Sequence, residues 1–163
     1  MFNYSIVHQK SMTTIQLTTI INAPIEKCFD VSRDVRVHEL STGNTNEKAI
    51  AGRTSGLCEL NDEITWKATH FGIRQKLSVK ITKMEPPLFF EDQMLKGAFK
   101  SMRHEHHFRS FGETTEMTDK FYYEVPLGFL GKCFDKLVLK KYMTRFLMVR
   151  NQVIKEHCER VEH

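Results

Sequence analysis

Apolar and polar residues alternate at the start of segment 13–22 (TTIQLTTIIN), which is rich in β-branched types, and this pattern predicts a strand. Ala23-Pro24 then opens a helix, because proline suits the first helical position. Ile25, Cys28 and Phe29, with Val31 at the edge, give that helix one apolar face. A break near Asp34 precedes a second short helical piece through Leu40, which ends at Ser41-Thr42-Gly43. From residue 44 to 125 the pattern becomes that of strands. Six are predicted, at 44–52, 57–70, 73–84, 88–96, 100–110 and 115–125, with Gly72, Pro86-Pro87, Gly97 and Gly112 at the reversals. After Pro126 the pattern changes again. Beyond Gly131 there is no proline or glycine, and Phe134, Leu137, Val138, Tyr142, Phe146, Val149, Val153 and Cys158 recur at helical spacing. One helix from Gly131 to Glu159, about 29 residues and about 43 Å long, is expected.

The order strand, two short helices, six strands, long helix implies an α+β fold. Seven strands in succession make a curved antiparallel sheet, and the long C-terminal helix must lie against one face of it, since an isolated helix cannot bury its apolar stripe. The space between sheet and helix is the natural ligand site of such an architecture.

Alternation also assigns faces. On the sixth strand Met102, His104, His106, Phe108 and Ser110 share the side expected to face the helix, whereas Arg103, Glu105, His107 and Arg109 face water. The seventh strand turns Met117, Asp119, Phe121, Tyr123 and Val125 inward. If Phe111–Thr114 form the loop, Ser110 lies opposite Thr115, which sets His106 against Asp119, His104 against Phe121 and Met102 against Tyr123. A three-residue turn at 97–99 sets Asp92 against His104 and Phe90 against His106. Trp66, Ala68 and His70 on the third strand, and Gln75, Leu77, Val79 and Ile81 on the fourth, complete the interior, with Met94 from the fifth and Phe146 from the helix.

The chain has 163 residues, 40% hydrophobic and 27% charged, an ordinary globular balance that excludes a wholly disordered chain. One domain over 1–163 is the economical reading, with the patternless residues 1–11 as a flexible extension. Lys and Arg exceed Asp and Glu by 24 to 20, a net +4 that is too weak to imply nucleic acid. Lys132, Lys136, Lys140, Lys141, Arg145 and Arg150 gather on the last helix and read as a solvated face, or as attraction to an anionic headgroup or membrane. Cys28, Cys58, Cys133 and Cys158 form no CxxC motif. Without a secretory leader in view, reduced and mostly buried thiols in a cytoplasmic protein are expected. No segment has the length of apolar run needed to span a membrane.

Eight histidines are the unusual part of the composition. His104, His106, Asp119 and Asp92, with His70 and Gln75, place a polar group in the middle of apolar walls, which describes a small-molecule pocket. The same His–Asp pairs also suit a self-satisfied core cluster, since buried ionisable groups cost several kcal/mol unless paired. His106 backed by Asp119 and His104 backed by Asp92 have the chemistry of an acid–base pair. His104 and His106 could chelate an ion with Asp119 or His70, but no metal or other cofactor is expected. There is no nucleophile elbow, P-loop or dinucleotide fingerprint. Leu127, Phe129 and Leu130, between Gly128 and Gly131, either cap the core or gate the cavity and touch a membrane transiently.

Trp66-Lys-Ala-Thr-His70-Phe71-Gly72, Pro87-Leu-Phe-Phe90-Glu-Asp92, Gly97-Ala-Phe99, His104-Glu-His106-His-Phe108, Thr115-Glu-Met-Thr-Asp119 and Pro126-Leu-Gly128-Phe-Leu-Gly131 together resemble the SRPBCC superfamily. More narrowly they resemble uncharacterised bacterial ligand-binding domains related to polyketide cyclase/dehydrases and START-type lipid-transfer proteins. Ala23-Pro24-Ile25-Glu26-Lys27-Cys28-Phe29 fits the superfamily's first strand-to-helix step, and the likeness runs from about Thr13 to about His157. It implies the helix-grip fold and a deep cavity for hydrophobic or amphipathic ligands, without fixing the ligand. The leading expectation is a carrier or sensor of a small hydrophobic molecule of lipid, isoprenoid or polyketide type. Its ligand-binding residues would be Trp66, His70, Gln75, Leu77, Phe90, Asp92, Met94, His104, His106, Phe108, Asp119, Phe121, Tyr123 and Phe146. The alternative is a cyclase or dehydratase that uses the same histidines, and a third class is a protein-interaction module whose interior is filled.

Overall fold

The computed structural model describes residues 12–160, so the expected 1–11 extension lies outside the described residues. β1 (Thr13–Ile21) is followed by α1 (Ile25–Ser32), α2 (Val35–Ser41) and a short 3₁₀ turn (Gly43–Thr45). Then come β2 (Lys48–Gly52), β3 (Glu63–His70), β4 (Ile73–Glu85), β5 (Phe89–Lys96), β6 (Ser101–Phe111) and β7 (Thr114–Glu124). The chain ends in a continuous helical run: α3 (Gly128–Phe134), a π turn (Asp135–Leu139) and α4 (Lys140–Glu159). The strands form one antiparallel sheet in the order β1-β7-β6-β5-β4-β3-β2.

Local chemistry explains the boundaries. Pro24 stands just before α1, and the Asp34 carboxylate caps α2 by accepting from the backbone N–H of Arg36 and Val37 at 2.7 and 3.1 Å. The expected register between β6 and β7 is observed: His106 pairs with Asp119, His104 with Phe121, Met102 with Tyr123 and Ser110 with Thr115. The turn is tighter than expected, because Phe111 pairs with Thr114 and only Gly112-Glu113 lie between, with Gly112 at φ +67°. Asp92 lies opposite His104 and Phe90 opposite His106, also as expected. The second and third strands begin later than their sequence pattern suggests, at Lys48 and Glu63. Residues 57–62 instead form a connection in which Leu57 bridges to Asp34 and Arg53 pairs with Asp62.

The helix departs from expectation at its first half. Helical spacing puts Phe134, Leu137 and Val138 on the buried stripe, yet they are exposed, Leu137 by 77%. The π turn is the reason. Its extra residue rotates the helix, so the expected stripe points outward before Lys140. Beyond Lys140 the buried line runs one residue later than expected, through Met143, Leu147, Arg150 and Ile154, which leaves Val149 exposed and Tyr142, Phe146 and Val153 half-buried. The residue turned inward instead is Asp135, which accepts hydrogen bonds from Thr13 Oγ1 (2.5 Å) and from the Tyr123 hydroxyl. Gly131 in α3 is required by packing, since a Cβ there would sit 1.9 Å from the Pro126 carbonyl oxygen.

The interior divides in two. At one end α1, β5, β6, β7 and the last turns of α4 pack solidly through Ile21, Phe29, Phe90, Phe108, Met117 and Ile154. There Phe29 meets Phe90 and Phe108 edge-on at 5.7 and 5.5 Å. Towards the other end the sheet curves away from α4 and a cavity opens. Cys28, Cys58 and Cys158 are buried and reduced, while Cys133 is only half-buried.

Candidate functional site

The cavity has a volume of about 430 Å³ and lies between the sheet, α2 and the C-terminal helix. That falls within the roughly 300–1,000 Å³ of small-molecule sites. Ile64, Val79, Ile81, Phe121, Met143 and Leu147 give it apolar walls.

β6 and β5 place the central polar group. His104 and His106 are buried side by side with ring centroids 3.9 Å apart, and His106 stacks on Phe90 at 4.1 Å. The pairing is crossed relative to the register. His104 Nε2 donates to Asp119 Oδ1 at 3.0 Å, and His106 Nε2 donates to Asp92 Oδ2 at 3.3 Å. Each histidine therefore reaches diagonally past its opposite partner. His106 Nδ1 still lies 2.9 Å from Asp119 Oδ1, but out of line for a hydrogen bond, so that atom is buried without one.

Two residues of α4 complete the group. Asn151 Nδ2 donates to Asp119 Oδ2 at 2.6 Å, and Arg150 Nη1 lies 3.5 Å from Asp119 Oδ1 and donates to Asn151 Oδ1 at 3.2 Å. Arg150 is only 4% exposed. This corrects its assignment to the solvated basic face. The sequence carried a signal for it: Arg150 follows Leu147 by three residues and precedes Ile154 by four, which puts it on the buried stripe.

The electrostatics follow from burial and pairing. Burial, with His106 beside it, pushes His104 down to about 4, so its imidazole is neutral near pH 7. Burial works to raise the Asp119 carboxyl, but the His104 hydrogen bond, the adjacent His106 ring and the Arg150 charge hold it well below its ordinary value. Asp92 is lowered too: against burial, the His106 hydrogen bond and the neighbouring His104 favour its anion. Asp92, His104 and His106 each offer one ligand atom, all within 4.8 Å of one another. Tetrahedral coordination would need those atoms drawn to about 3.4 Å, and the Nε2 atoms already engage carboxylates.

Trp66, His70, Gln75, Leu77, Phe90, Asp92, His104, His106, Phe121 and Phe146 all lie on the cavity wall. Four other expected residues do not. Phe108 packs into the solid end against Phe29. Tyr123 turns its hydroxyl to Asp135 beneath the π turn. Asp119 sits behind the two histidines and orients them, and Met94 packs near Gly97. Conversely, the wall includes His38 and Glu47, which sequence patterning did not single out, and Tyr142 and Arg150, which it placed on the last helix but not among the ligand-binding residues. His70 Nδ1 pairs with the Tyr142 hydroxyl at 2.8 Å, and burial lowers the His70 pKa.

No family model matches the sequence, and no curated protein matches it. Solved structures do. TTHA0849 from Thermus thermophilus superposes with a TM-score of 0.74 at 17% identity, over 90% of this chain and 97% of that one. A START superfamily protein from Mycobacterium smegmatis gives 0.70 at 12% identity, over 91% and 98%. Major latex-like protein 151 from Panax ginseng gives 0.66 at 15% identity, over 91% and 99%. At these identities the likeness establishes architecture alone. None of the described helices is long and apolar enough to cross a membrane. With a seven-stranded antiparallel sheet gripping a long C-terminal helix, the chain has an SRPBCC/START-like helix-grip fold.

Proposed function

We propose that this protein binds a small hydrophobic or amphipathic molecule, of lipid, isoprenoid or polyketide type, and acts as its carrier or sensor. The observation that carries this reading is the cavity: apolar walls interrupted by a few fixed polar groups, open at one end. The apolar walls bury the ligand body, and His104, His106 and Arg150 orient a polar group. Leu127 and Leu130 stand at the rim, 79% and 75% exposed, beside Phe129 at 80%. The exposed Lys132, Lys136 and Lys140 follow on the same helical run. Apolar side chains flanked by lysines suit transient contact with an anionic membrane during ligand exchange.

Native mass spectrometry of the purified protein, followed by solvent extraction, tests the reading. A bound hydrophobic molecule recovered unmodified is expected. If no such molecule co-purifies and a polarity-sensitive fluorophore does not enter the cavity, the reading fails.

A second reading rests on one observation, the two buried His–Asp pairs on the wall with a nitrogen of His106 left unbonded. In it the histidines move protons in a cyclase or dehydratase reaction. Turnover that is lost in His106→Gln while binding is kept would establish it over a pure carrier.

A further inference from the structure

The cavity has a second polar end. Glu47 is buried, 6% exposed, just before β2, and its Oε1 accepts from His38 Nε2 at 3.2 Å. His38 in turn stacks on Trp66 at 4.0 Å and 25°. His70 and Tyr142 stand next to them on the wall. The separation of the ends follows from the sheet. Trp66 pairs with Leu77, and Ile81, four residues further along β4, pairs with Asp92. Four residues at about 3.3 Å and two strand spacings at about 4.8 Å put Trp66 and Asp92 roughly 15–16 Å apart along the sheet. Trp66 stacks on His38, the partner of Glu47, and Asp92 lies beside Arg150, so that span sets the scale of the separation between the two ends. Ile64, Val79, Ile81 and Leu147 line the stretch between, and none offers a polar side chain.

The two ends differ in what they lack. Glu47 Oε2 makes no hydrogen bond with a described residue and is not sealed from the cavity, so this end offers an open acceptor to a ligand donor. Arg150 donates only through Nη1, so Nε and Nη2 make no hydrogen bond with a described residue and that end wants an acceptor. Arg150 offsets only one of the two carboxylates beside it, Asp92 and Asp119. A neutral acceptor therefore suits this end better than a second anion.

Building on the carrier reading above, we infer that the ligand is an elongated amphiphile with two polar ends roughly 15 Å apart, a carbonyl-type acceptor at Arg150 and a hydroxyl-type donor at Glu47. Such a molecule satisfies both ends at once, and its direction in the cavity is fixed. A ligand with one polar end leaves a buried carboxylate or guanidinium unsatisfied, which costs affinity.

The test compares methyl ω-hydroxydodecanoate, whose extended length matches the span, with methyl dodecanoate, 1-dodecanol and the shorter methyl ω-hydroxyoctanoate. Trp66 is the only tryptophan and stands at the Glu47 end, so its fluorescence reports arrival there. The hydroxy-ester of full length is expected to bind about tenfold tighter than the other three, one hydrogen bond to a charged group being worth that much. Glu47→Ala is expected to abolish its advantage over methyl dodecanoate, whose own affinity should not fall, because the unmatched carboxylate is gone, and circular dichroism verifies the fold. Equal affinities for the full-length hydroxy-ester and methyl dodecanoate overturn the inference, as does a Glu47→Ala variant that weakens every probe alike. In those cases binding persists and the carrier reading stands. If no probe binds at all, both fall together.

Discussion

The floor of the cavity and its rim are built on opposite principles. At the floor, His104, His106, Asp119, Arg150 and Asn151 are all at most 7% exposed, and the Asp119 carboxylate alone touches four of their side chains and holds them together. At the rim, Leu127, Phe129, Leu130 and Leu137 are 75–80% exposed and nothing covers them among the described residues. A buried polar group must be satisfied or it destabilises the fold, so the floor tolerates few changes. An exposed apolar side chain contributes little to folding, so the rim is free to serve an encounter. Stability is therefore expected to concentrate at the floor and exchange at the rim.

The largest break in that contrast should come from Asp119→Ala. It leaves Arg150 as a buried charge without its partner and strips the hydrogen bond from His104. Removing one side of a buried charged pair costs about 3–5 kcal/mol, measurable as a shift in urea unfolding. A loss of less than about 1 kcal/mol would mean that the floor is no more fixed than a surface ion pair.

Acid should expose the same asymmetry. His104 titrates near 4 in the fold and near 6.5 when unfolded. Between those values the unfolded chain binds more protons, so stability is complete above about pH 6.5 and falls as pH drops towards 4. The ceiling on this loss is about 3 kcal/mol, at 1.36 kcal/mol per pH unit. Asp119 and Asp92, held low in the fold, add a further loss below their ordinary range. Chemical denaturation across this pH range should slope for the native protein and slope less between 6.5 and 4 in His104→Gln, where His70, also lowered by burial, keeps part of the slope. A native curve that is already flat there would show that His104 is not buried neutral.

The π turn lies between floor and rim. Tyr123→Phe removes one of the two hydroxyls that Asp135 accepts from and leaves the Thr13 hydrogen bond in place. A loss of about 1–3 kcal/mol is expected for this partly unsatisfied carboxylate. Combined with Thr13→Val, the loss should deepen by more than the sum of the two changes, because only the double variant leaves Asp135 without a partner there.

How much of this was legible in the sequence divides along the same line. Strand pairing has a period of two, so a turn placed on the right centre, though two residues too long, fixed His104, His106 and Asp119 on one face and in register. What register could not give is where a side chain goes after its Cβ. The imidazoles cross, and Asp119 serves from behind the wall rather than on it. The helix was legible as an element, but its buried line in α4 runs one residue later than the spacing of Tyr142, Phe146, Val149 and Val153 suggested. At Asp135 the π turn breaks the helical period, so spacing alone misplaces Phe134, Leu137 and Val138 and gives no sign that Asp135 turns inward. Arg150 was hidden by its type rather than its position, since its spacing from Leu147 and Ile154 is that of a core residue. Glu47 and His38 come from a short helix and a turn, where no periodicity marks an inward face.

The smallest effect on folding should come from the rim, and it sharpens the comparison most. Phe129 and Leu137 are 80% and 77% exposed and neither lines the cavity. Changing both to serine should move stability by no more than about 0.5 kcal/mol per site, as for surface positions generally. Affinity for a ligand in solution should not move either, because the cavity wall is unchanged. Transfer is another matter. Burying a Phe or Leu side chain in an apolar phase is worth about 1.5–3 kcal/mol. If these residues enter a bilayer, the double variant should partition onto anionic vesicles at least about tenfold less and deliver ligand to them correspondingly more slowly. Sedimentation with vesicles and a fluorescent-ligand transfer assay measure the two quantities separately. Unchanged partitioning would show that the exposed residues meet something other than a membrane, whereas reduced transfer with unchanged solution affinity would assign exchange to the rim and binding to the cavity.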